Sequence, residues 1–577
     1  MHRAGTGTLK TLLGLACTSL IWGQTRWLPL AADTSQGEIP TYLPSYQPWY
    51  DPLDTLPYFV SRLGYFKPYL GWPEGVPSYE APWAGLPASQ NVYLLEKPPI
   101  IWTTAPYTRV RFDQSSRRTQ LLAVKHGQKL RSWGGFTLSY QRRTREGEYV
   151  GQLTDHWGAA FRAFVRKGRW SWDAALIWNQ LQDQLNGGVV YDTTEGPWNA
   201  FGKASQPVLL KQTRWRRWKR SFASDLTFTL APRTYLHLSA ELSQDHLHPE
   251  SVDAQNVSPL LPDTLPISWH LTQTWRRVGI SFVHPAIQVG LRILETEGEA
   301  DRLLRPWRHP GLEGWVTGQS QHFKLEGTYR RLLSPGAPPP SASLKGTAYY
   351  GLFSIGAGYW SRNLPWLAYQ YIRSSLPQPN ETLLQAWGEV TLPARDSLQK
   401  PLRVRLWTTR YQAPWRWAGT FYRGPAQQSY GLTVRGDWTS SKVGLALGFT
   451  AQHQVGETRW TSALPALQGW VQPFLRWRLP GRLPLYELGV RLSGFSSFRP
   501  LRYDPLSGLF YPESGLPTQP AFLGADPYLV VQIRRLIIYL RVEQATEGLL
   551  RAGYYLSAWY PMPGRAFAFG VQWDLYN

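Results

Sequence analysis

Cysteine is nearly absent from this chain, with Cys17 alone among 577 residues. A single thiol excludes a disulfide-stabilised scaffold and a cysteine zinc cluster. Long apolar runs are also missing: no stretch supplies the roughly 20 apolar residues that a membrane-spanning helix needs, and the mean hydropathy is −0.35. Charged residues make up only 17% of the chain, against about 25% in typical soluble domains. The sequence therefore fits neither a disulfide-rich module nor a helical membrane protein.

Aromatic residues, by contrast, are abundant. Trp, Tyr and Phe together make up 14% of the chain, and 30 residues are Trp. Disordered chains lack aromatic residues and carry dense charge, so disorder is not expected. The formal net charge is +22. By length the chain could form several soluble domains or one large all-β unit.

Residues 1–23 have the organisation of an export signal. Arg3 and Lys10 supply positive charge, residues 12–22 form an apolar run, and Gly23-Gln24 offers a cleavage point. A basic start, a short apolar run and a small residue before the cut are typical of a signal peptide, and this run is too short for an anchor helix. Cys17 lies inside the run, where we interpret it as an ordinary apolar residue. The mature protein is predicted to be exported.

Residues 24–105 form a second region, with 13 prolines that often neighbour Tyr or Trp. Proline at this density is incompatible with helix interiors and central strands. We therefore expect an extended segment that docks on something larger, either in the periplasm or as a plug inside the lumen of the following domain.

From Pro106 onward, apolar residues recur at every second position. Successive side chains of a strand point to opposite faces, so this period predicts strands with one apolar face and one small or polar face. In the last such segment the apolar face carries Phe567, Phe569, Val571, Trp573 and Leu575. Tight turns near residues 167–168, 231–233 and 284–285 alternate with predicted long loops over residues 180–211, 244–266 and 295–311. Such unequal connections are typical of an up-and-down barrel whose ends face different compartments.

Export, unequal connections and aromatic residues near strand ends favour a barrel in a membrane. Amphipathic rings prefer the membrane–water boundary. The candidate girdle residues are Trp170, Trp178, Trp215, Trp218, Tyr359, Trp360, Trp559 and Tyr560. The alternative is that these rings form the core of a soluble sandwich or sugar-binding platforms. The predicted fold is an all-β transmembrane up-and-down antiparallel barrel over residues 106–577, with about 16–18 strands and a Pro/aromatic-rich N-terminal extension.

Several short motifs carry a resemblance to a known family. They are residues 106–112 (PYTRVRF), residues 120–128 (QLLAVKHGQ), residues 186–189 (NGGV) and the C-terminal residues 560–565 (YPMPGR). With these motifs the region after residue 97 resembles the "putative porin" family of outer-membrane barrels from Bacteroidota-type bacteria. The C-terminal motif is shared with TonB-dependent receptors of the same bacteria. Those receptors have a folded plug and about 22 strands, and residues 24–105 look too short and too rich in proline for that plug.

The polar strand faces indicate a water-filled lumen. Basic residues on these faces are candidates for lining it: Arg292, Arg403, Arg405, Lys442 and Arg491. Their summed field would concentrate anions. The leading hypothesis is therefore a porin-like channel for passive diffusion of small hydrophilic solutes, with a mild anion preference. The same side chains could instead contact acidic lipid headgroups, or basic residues could form interior ion pairs with Glu241, Glu487 and Asp574.

Two other function classes stay open. Long loops could hold a partner protein or glycan, which would make the barrel a binding or assembly component. A hydrolase is the other: His246 and His248 lie two residues apart, with His237 and Glu241 upstream. No further ligand has a helpful spacing and no Gly-x-Ser-x-Gly elbow is visible. We expect a protein that is not an enzyme and has no metal or cofactor.

The expected location is the outer membrane. Expected partners are outer-membrane lipid, small hydrophilic solutes and the barrel assembly machinery, and a homotrimer is a candidate assembly. Residues 214–220 (RWRRWKR) look like a nucleic-acid patch. In an exported barrel we interpret them as flanking the membrane edge, near headgroup phosphates. Nucleic-acid binding is not expected.

Overall fold

The computed structural model is built from β-strands. It describes residues 94–102, 105–116, 118–147, 149–184, 186, 188–189, 207–208, 213–251, 270–300, 304–333, 340–363, 380–392, 402–412, 415–417, 421–423, 426–440, 442–456, 465–478, 484–503, 510–511, 518–549, 555–558, 560–561 and 564–576. Within these ranges no helix is long and apolar enough to cross a membrane. The predicted signal peptide and most of the N-terminal extension lie outside the described residues.

The described strands are numbered in chain order. They are β1 (Tyr107–Ser115), β2 (Thr119–Arg131), β3 (Gly134–Arg145), β4 (Thr154–Lys167), β5 (Trp170–Gln184), β6 (Thr213–Ala231), β7 (Thr234–Ser251), β8 (Leu271–Val283), β9 (Ile287–Ala300), β10 (Leu304–Gln319), β11 (Phe323–Leu332), β12 (Ser341–Tyr350), β13 (Phe353–Asn363), β14 (Asn380–Leu392), β15 (Leu402–Gln412), β16 (Trp415–Trp417), β17 (Phe421–Arg423), β18 (Gln427–Thr439), β19 (Val443–Val455), β20 (Leu467–Arg478), β21 (Leu485–Phe495), β22 (Arg502–Tyr503), β23 (Phe510–Tyr511), β24 (Phe522–Ile533), β25 (Leu536–Glu543), β26 (Tyr555–Ser557), β27 (Tyr560–Pro561) and β28 (Ala566–Tyr576).

Twenty-two of these strands form one closed antiparallel sheet. The three remaining pairs, β16–β17, β22–β23 and β26–β27, are small separate sheets in the connections. The first and last strands close the barrel, with Tyr107 opposite Tyr576 and Ser115 opposite Ala568. Closure removes every free edge, so backbone groups of the wall find partners in neighbouring strands. The predicted all-β antiparallel barrel is confirmed.

The strand number is 22, whereas the sequence led us to expect 16–18. That expectation assumed roughly 26–29 residues for each strand with its connection. The 470 residues from Tyr107 to Tyr576 instead supply 22 strands, about 21 residues each. One connection that was expected to be long, between β9 and β10, has only three residues, and the connection between β1 and β2 is equally short. Strand number therefore does not distinguish this chain from the plug-containing receptors, which also have about 22 strands.

The two ends of the barrel carry different connections. At the short-turn end, β4 and β5 are joined by two residues, β6 and β7 by two, and β8 and β9 by three. The predicted turns near residues 167–168, 231–233 and 284–285 are therefore confirmed. Most of the long connections lie at the opposite, loop-rich end. The predicted loop over residues 295–311 is wrong, because residues 295–300 and 304–310 extend β9 and β10 and pair with each other.

Alternate side chains divide each strand between an outer face and an inner wall. On β5, Trp170, Trp172, Leu176 and Trp178 are exposed on the outer face, and the residues between them are more buried. Trp170 and Trp178 are eight positions apart, which matches the roughly 9–11 residues that a tilted strand needs to cross hydrocarbon. Polar Gln180 continues the same face beyond Trp178, toward the loop-rich end.

Candidate functional site on the inner wall

The inner wall is polar because small, polar and charged residues alternate with the outward apolar ones. On β9 the outward residues Ile287, Val289, Leu291 and Ile293 are all exposed. Between them, Arg292 is 9% exposed and faces the inner wall. An outer face that is apolar and an inner wall that is polar is the arrangement of a membrane barrel rather than of a packed sandwich.

Inner-wall carboxylates form ion pairs with arginines on adjacent strands. Arg277 Nη1 donates to Glu241 Oε2 at 3.0 Å, Arg476 Nε to Glu487 Oε2 at 2.7 Å, and Arg109 Nε to Asp574 Oδ1 at 2.6 Å. In each pair the two residues lie directly opposite in register. These three acids are the ones that the sequence offered as interior ion-pair partners. Pairing of opposite charges reduces the field that the wall exerts on a passing ion.

Two of the five candidate lumen residues have carboxylate partners. Arg292 Nη1 lies 3.4 Å from Glu313 Oε1, and its guanidinium carbon is 4.7 Å from the Trp315 ring centre. Arg405 Nε donates to Glu389 Oε2 at 2.6 Å. These two arginines are therefore part of the charge-balanced wall.

The other three candidates have different surroundings. Arg491 is 4% exposed, and its guanidinium carbon lies 4.3 Å from the Trp470 ring centre. Arg403 shares the inner-wall face of β15 with Arg405 and is exposed, as is Lys442 in the turn before β19. Both exposed cations are at the short-turn end of the barrel. The structure therefore places Arg403 and Lys442 at the short-turn end of the barrel, here called the short-turn mouth. The other three residues lie along the inner wall.

Residues 94–102, the docked segment, lie against the inner wall and bring a lysine into a charge cluster. The Lys97 ammonium contacts Asp173 on β5 and Asp225 on β6, which are directly opposite each other. Arg162 Nε donates to Asp173 Oδ2 at 2.9 Å, and His237 Nε2 lies 3.1 Å from Asp225 Oδ1. The Lys97 side chain is only 6% exposed. Buried carboxylates require such partners, so the cluster fixes the segment to the wall.

Backbone hydrogen bonds and a ring contact extend this attachment. Leu95 N donates to Asn179 Oδ1 at 2.7 Å, and Leu95 O accepts from Asn179 Nδ2 at 3.1 Å. Pro98 O accepts from Arg162 Nη1 at 2.9 Å. Trp102 packs against Phe164, with ring centres 5.4 Å apart. The segment therefore passes down the inner wall to the short-turn end, where β1 begins.

Aromatic rings on the inner wall cover glycines of the neighbouring strand. The pairs, directly opposite in register, are Trp315 with Gly290, Trp387 with Gly356, Trp407 with Gly431, Phe474 with Gly444, Tyr528 with Gly489 and Tyr539 with Gly570. Most of these rings are nearly completely buried, for example Phe474 and Trp407 at 4% exposure. They fill space against the backbone of the neighbouring strand.

Four of the eight candidate girdle residues are exposed on the outer face. They are Trp170, Trp178, Trp218 and Tyr359. Trp178 and Trp157 form a ring contact with centres 5.6 Å apart. The girdle itself stays a prediction for these four residues.

The girdle prediction is wrong for three others. Trp215 and Trp360 are 1% and 8% exposed, and both side chains point to the inner wall. Each lies an odd number of positions from an outward candidate, so strand alternation forbids that both face lipid. Tyr560 is 1% exposed and belongs to β27, outside the barrel sheet. Trp559 lies outside the described residues.

The histidines considered for a metal site are divided between the two faces of β7. His246 and His248 point outward, whereas His237 and Glu241 point to the inner wall. His246 Nδ1 lies 2.9 Å from Thr272 Oγ1. Among the described residues, no group of three or more His, Cys, Asp or Glu could hold a metal ion. The geometry gives no support to a metal-dependent hydrolase at these residues.

Comparison with known families supplies a match at the C-terminal end. Residues 483–577, which contain β21, β24, β25 and β28, match the family model described as "Putative porin". The match covers 95 of the 577 residues, so the C-terminal part of the chain is similar to this family. Its match includes Glu487, Arg491 and Asp574 of the inner wall and the strand that closes the barrel. No curated protein matches the sequence.

Solved structures with a similar fold have low sequence identity to this chain. The FrpB iron transporter from Neisseria meningitidis (F3-3 variant) has a TM-score of 0.58 and 10% identity, covering 82% of each chain. The ferric yersiniabactin uptake receptor FyuA from Yersinia pestis has a TM-score of 0.57 and 11% identity, covering 83% of this chain and 81% of its own. The ferripyoverdine receptor of the outer membrane of Pseudomonas aeruginosa has a TM-score of 0.59 and 10% identity, covering 83% and 72%. Identity this low shows the fold alone.

Sequence reasoning missed the partners of the inner-wall charges. Asp173 and Asp225 lie in the region after Pro106, whose alternating pattern predicts strands, and a carboxylate in the middle of a barrel strand signals a buried partner. The identity of that partner, Lys97, has no local signal because 76 residues separate it from Asp173. Likewise, the aromatic–glycine pairs require the register of neighbouring strands, which the sequence does not reveal.

Proposed function

We propose that this barrel provides a passive diffusion path for small hydrophilic solutes across the outer membrane. The observation that carries the proposal is the contrast between an apolar outer face and an inner wall of polar side chains and paired charges. Barrels of this size enclose a space that side chains of the wall alone do not fill. The polar wall supports passage of hydrated solutes.

The proposed selectivity is a weak preference for anions. Arg292 and Arg405 have carboxylate partners, and Arg491 is buried, so these three contribute little to the field in the lumen. Arg403 and Lys442 are exposed at the short-turn mouth, where their charge acts on entering ions. We therefore assign the preference to this mouth rather than to all five basic residues.

Planar-bilayer recordings in a salt gradient test both statements. Wild-type protein should give stable conductance and a reversal potential on the anion-selective side. The double variant Arg403→Gln/Lys442→Gln should move that potential toward zero, because two exposed cations are lost. Arg292→Gln is the matched control and should have a smaller effect, because Arg292 has a carboxylate partner in Glu313. Without Arg292, Glu313 still has Arg330 at 3.5 Å. A cation-selective wild type would refute the preference, and absence of conductance from correctly folded protein would refute open diffusion.

A second candidate function is uptake through a gated barrel. The docked segment favours it, because Lys97 fixes a chain segment inside a barrel of 22 strands. The similar structures include a ferric yersiniabactin uptake receptor and an iron transporter, so an iron chelate would be the substrate class for this alternative. Wild-type protein that is closed in bilayers, with conductance appearing only when the Lys97 contacts are broken, would favour gating over open diffusion.

A further inference from the structure

A row of arginines lies on the outer face of β6, toward the loop-rich end. Arg214, Arg216 and Arg220, here called the β6 basic row, are separated by even numbers of residues and so share one face with Trp218. Their register partners on β5 confirm the face, since Arg220 is opposite outward Trp178 and Arg216 is opposite Gln182. The neighbouring Arg217 points the other way and pairs with Asp245 on the inner wall.

The row begins at the edge of the apolar band that is nearer the loop-rich end. Arg220 is opposite Trp178, and its guanidinium carbon lies 4.6 Å from that ring centre. Toward the short-turn end, the same face of β6 continues with Phe222, Leu226 and Phe228. Arg216 lies four residues beyond Arg220, roughly 13 Å along the strand. The row therefore starts where hydrocarbon gives way to headgroups and continues into the headgroup layer.

Two other outer-face arginines at the loop-rich end, Arg142 and Arg276, have carboxylate partners. Arg142 donates to Asp155 through two bonds of 3.2 and 3.0 Å. Arg276 bonds Glu295 and Glu297, beyond the last apolar residue of the outer face of β9. These groups are neutralised within the protein, so they have little need of an external anion.

The β6 basic row lacks comparable neutralisation. Arg216 approaches Glu250 only to 3.9 Å, and its side chain remains 42% exposed. Within the described part of the chain, Arg220 and Arg214 have no ion pair. Arg214 and Arg216 are two residues apart on one strand face. Their backbone positions are about 7 Å apart, so their like charges repel each other. An anion placed between them would remove this repulsion.

We propose that the β6 basic row binds the phosphate of a phosphorylated lipid in the membrane leaflet at the loop-rich end. Guanidinium groups bind phosphate oxygens through paired hydrogen bonds. Trp178 and Trp218 supply amphipathic rings at the boundary, and the acyl chains would lie along Phe222 and Leu226 below. The position on the outer face, at the edge of the apolar band, selects a membrane lipid over a soluble phosphate.

Lipid binding to the purified full-length protein tests the proposal. Native mass spectrometry would count phosphatidic acid molecules retained by wild type, by Arg214→Gln/Arg216→Gln and by Arg142→Gln. We expect about tenfold weaker retention by the double variant, from the loss of two charge-assisted contacts. Arg142→Gln, a variant of an outward arginine with its own carboxylate partner, should retain lipid like wild type. The single variant Arg216→Gln, which changes an exposed side chain, gives the same test if the double variant does not fold.

Two further arms separate the possible ligands. Diacylglycerol, which lacks the phosphate, should not be retained by any of the proteins. Inorganic phosphate at millimolar concentration should not displace phosphatidic acid from wild type. Equal retention by wild type and the double variant would overturn the proposal. Displacement by inorganic phosphate would also overturn it, because it would identify a site for free anions.

Discussion

Glycine on the inner wall makes room for an aromatic ring on the next strand. At Gly444, an added Cβ would lie 2.1 Å from Phe474 Cζ, and at Gly431 it would lie 2.3 Å from Trp407. These distances are far below van der Waals contact, so the ring or the strand would have to move. The pairs recur around the barrel, and they let large rings lie close to the backbone without filling the lumen.

Gly444→Ala should destabilise the barrel. The intrinsic preference of a strand for Ala over Gly is about 0.5–1 kcal/mol, whereas overpacking costs about 1–3 kcal/mol, so a net loss is expected. Gly388→Ala is the control, because an added Cβ there meets nothing within 4 Å. Thermal unfolding in detergent, followed by circular dichroism, should show a lower midpoint for Gly444→Ala only. Restoration by Phe474→Leu in the same chain would identify the ring as the cause, and equal midpoints for both glycine variants would contradict the packing argument.

At the scale of elements, the docked segment has stronger attachments than a surface chain would need. Lys97 contacts two carboxylates that face each other across β5 and β6, and Arg162 bonds both Asp173 and the Pro98 carbonyl. Breaking a buried pair costs about 3–5 kcal/mol when a charge is left without compensation. The remaining contacts of Arg162 and His237 reduce this cost here. The segment therefore has a defined position on the inner wall, and a single substitution can weaken its attachment there.

Lys97→Gln should loosen the docked segment. The change leaves Asp173 and Asp225 opposed without the ammonium between them, so their repulsion disfavours docking. Limited proteolysis should cleave the N-terminal region several-fold faster than in wild type. Bilayer conductance should rise if this region restricts the lumen. Glu96→Gln, at the adjacent exposed residue, should behave as wild type, and unchanged proteolysis of Lys97→Gln would show that the cluster does not fix the segment.

At the scale of the whole molecule, function depends on closure between the first and last strands. Asp574 on β28 accepts from Arg109 at 2.6 Å and from the Tyr107 hydroxyl at 2.9 Å, both on β1. These bonds supplement the backbone ladder between strands that are the most distant along the chain. A closed wall separates the lumen from lipid, so every transport hypothesis for this barrel depends on this seam.

Asp574→Asn should lower the stability of the barrel. Loss of the charge weakens the bonds from Arg109 and Tyr107, and hydrogen bonds to charged groups contribute about 1.5–3 kcal/mol. Asp155→Asn removes a partly exposed outer-face carboxylate that pairs with Arg142, and such pairs contribute about 0–1 kcal/mol. Heat-dependent migration in detergent gels should therefore shift to lower temperature for Asp574→Asn and change little for Asp155→Asn. Similar shifts for both would argue against a special role of the seam.

Much of the architecture could be predicted from the sequence because strand alternation is a local property. The faces of β19 and β28 follow from apolar residues at every second position, and the turns before β5 and β9 follow from Gly168 and Pro285. Alternation also limits which aromatic residues can belong to the girdle. Tyr359 and Trp360 are adjacent, so only one of them can face lipid in a regular strand.

The sequence by itself determined the all-β class, the polar and apolar faces and the unequal ends, since each depends on residues a few positions apart. Only the tertiary structure decided which charges are balanced. Arg292 and Arg405 appear as free cations along the chain, but register places Glu313 and Glu389 beside them. The tertiary structure also decided the strand number and the contacts of Lys97 with Asp173 and Asp225. It further decided how residues 214–220 are divided between the two faces of β6. These features depend on contacts between distant segments, which burial and closure of the barrel impose and local patterns do not encode.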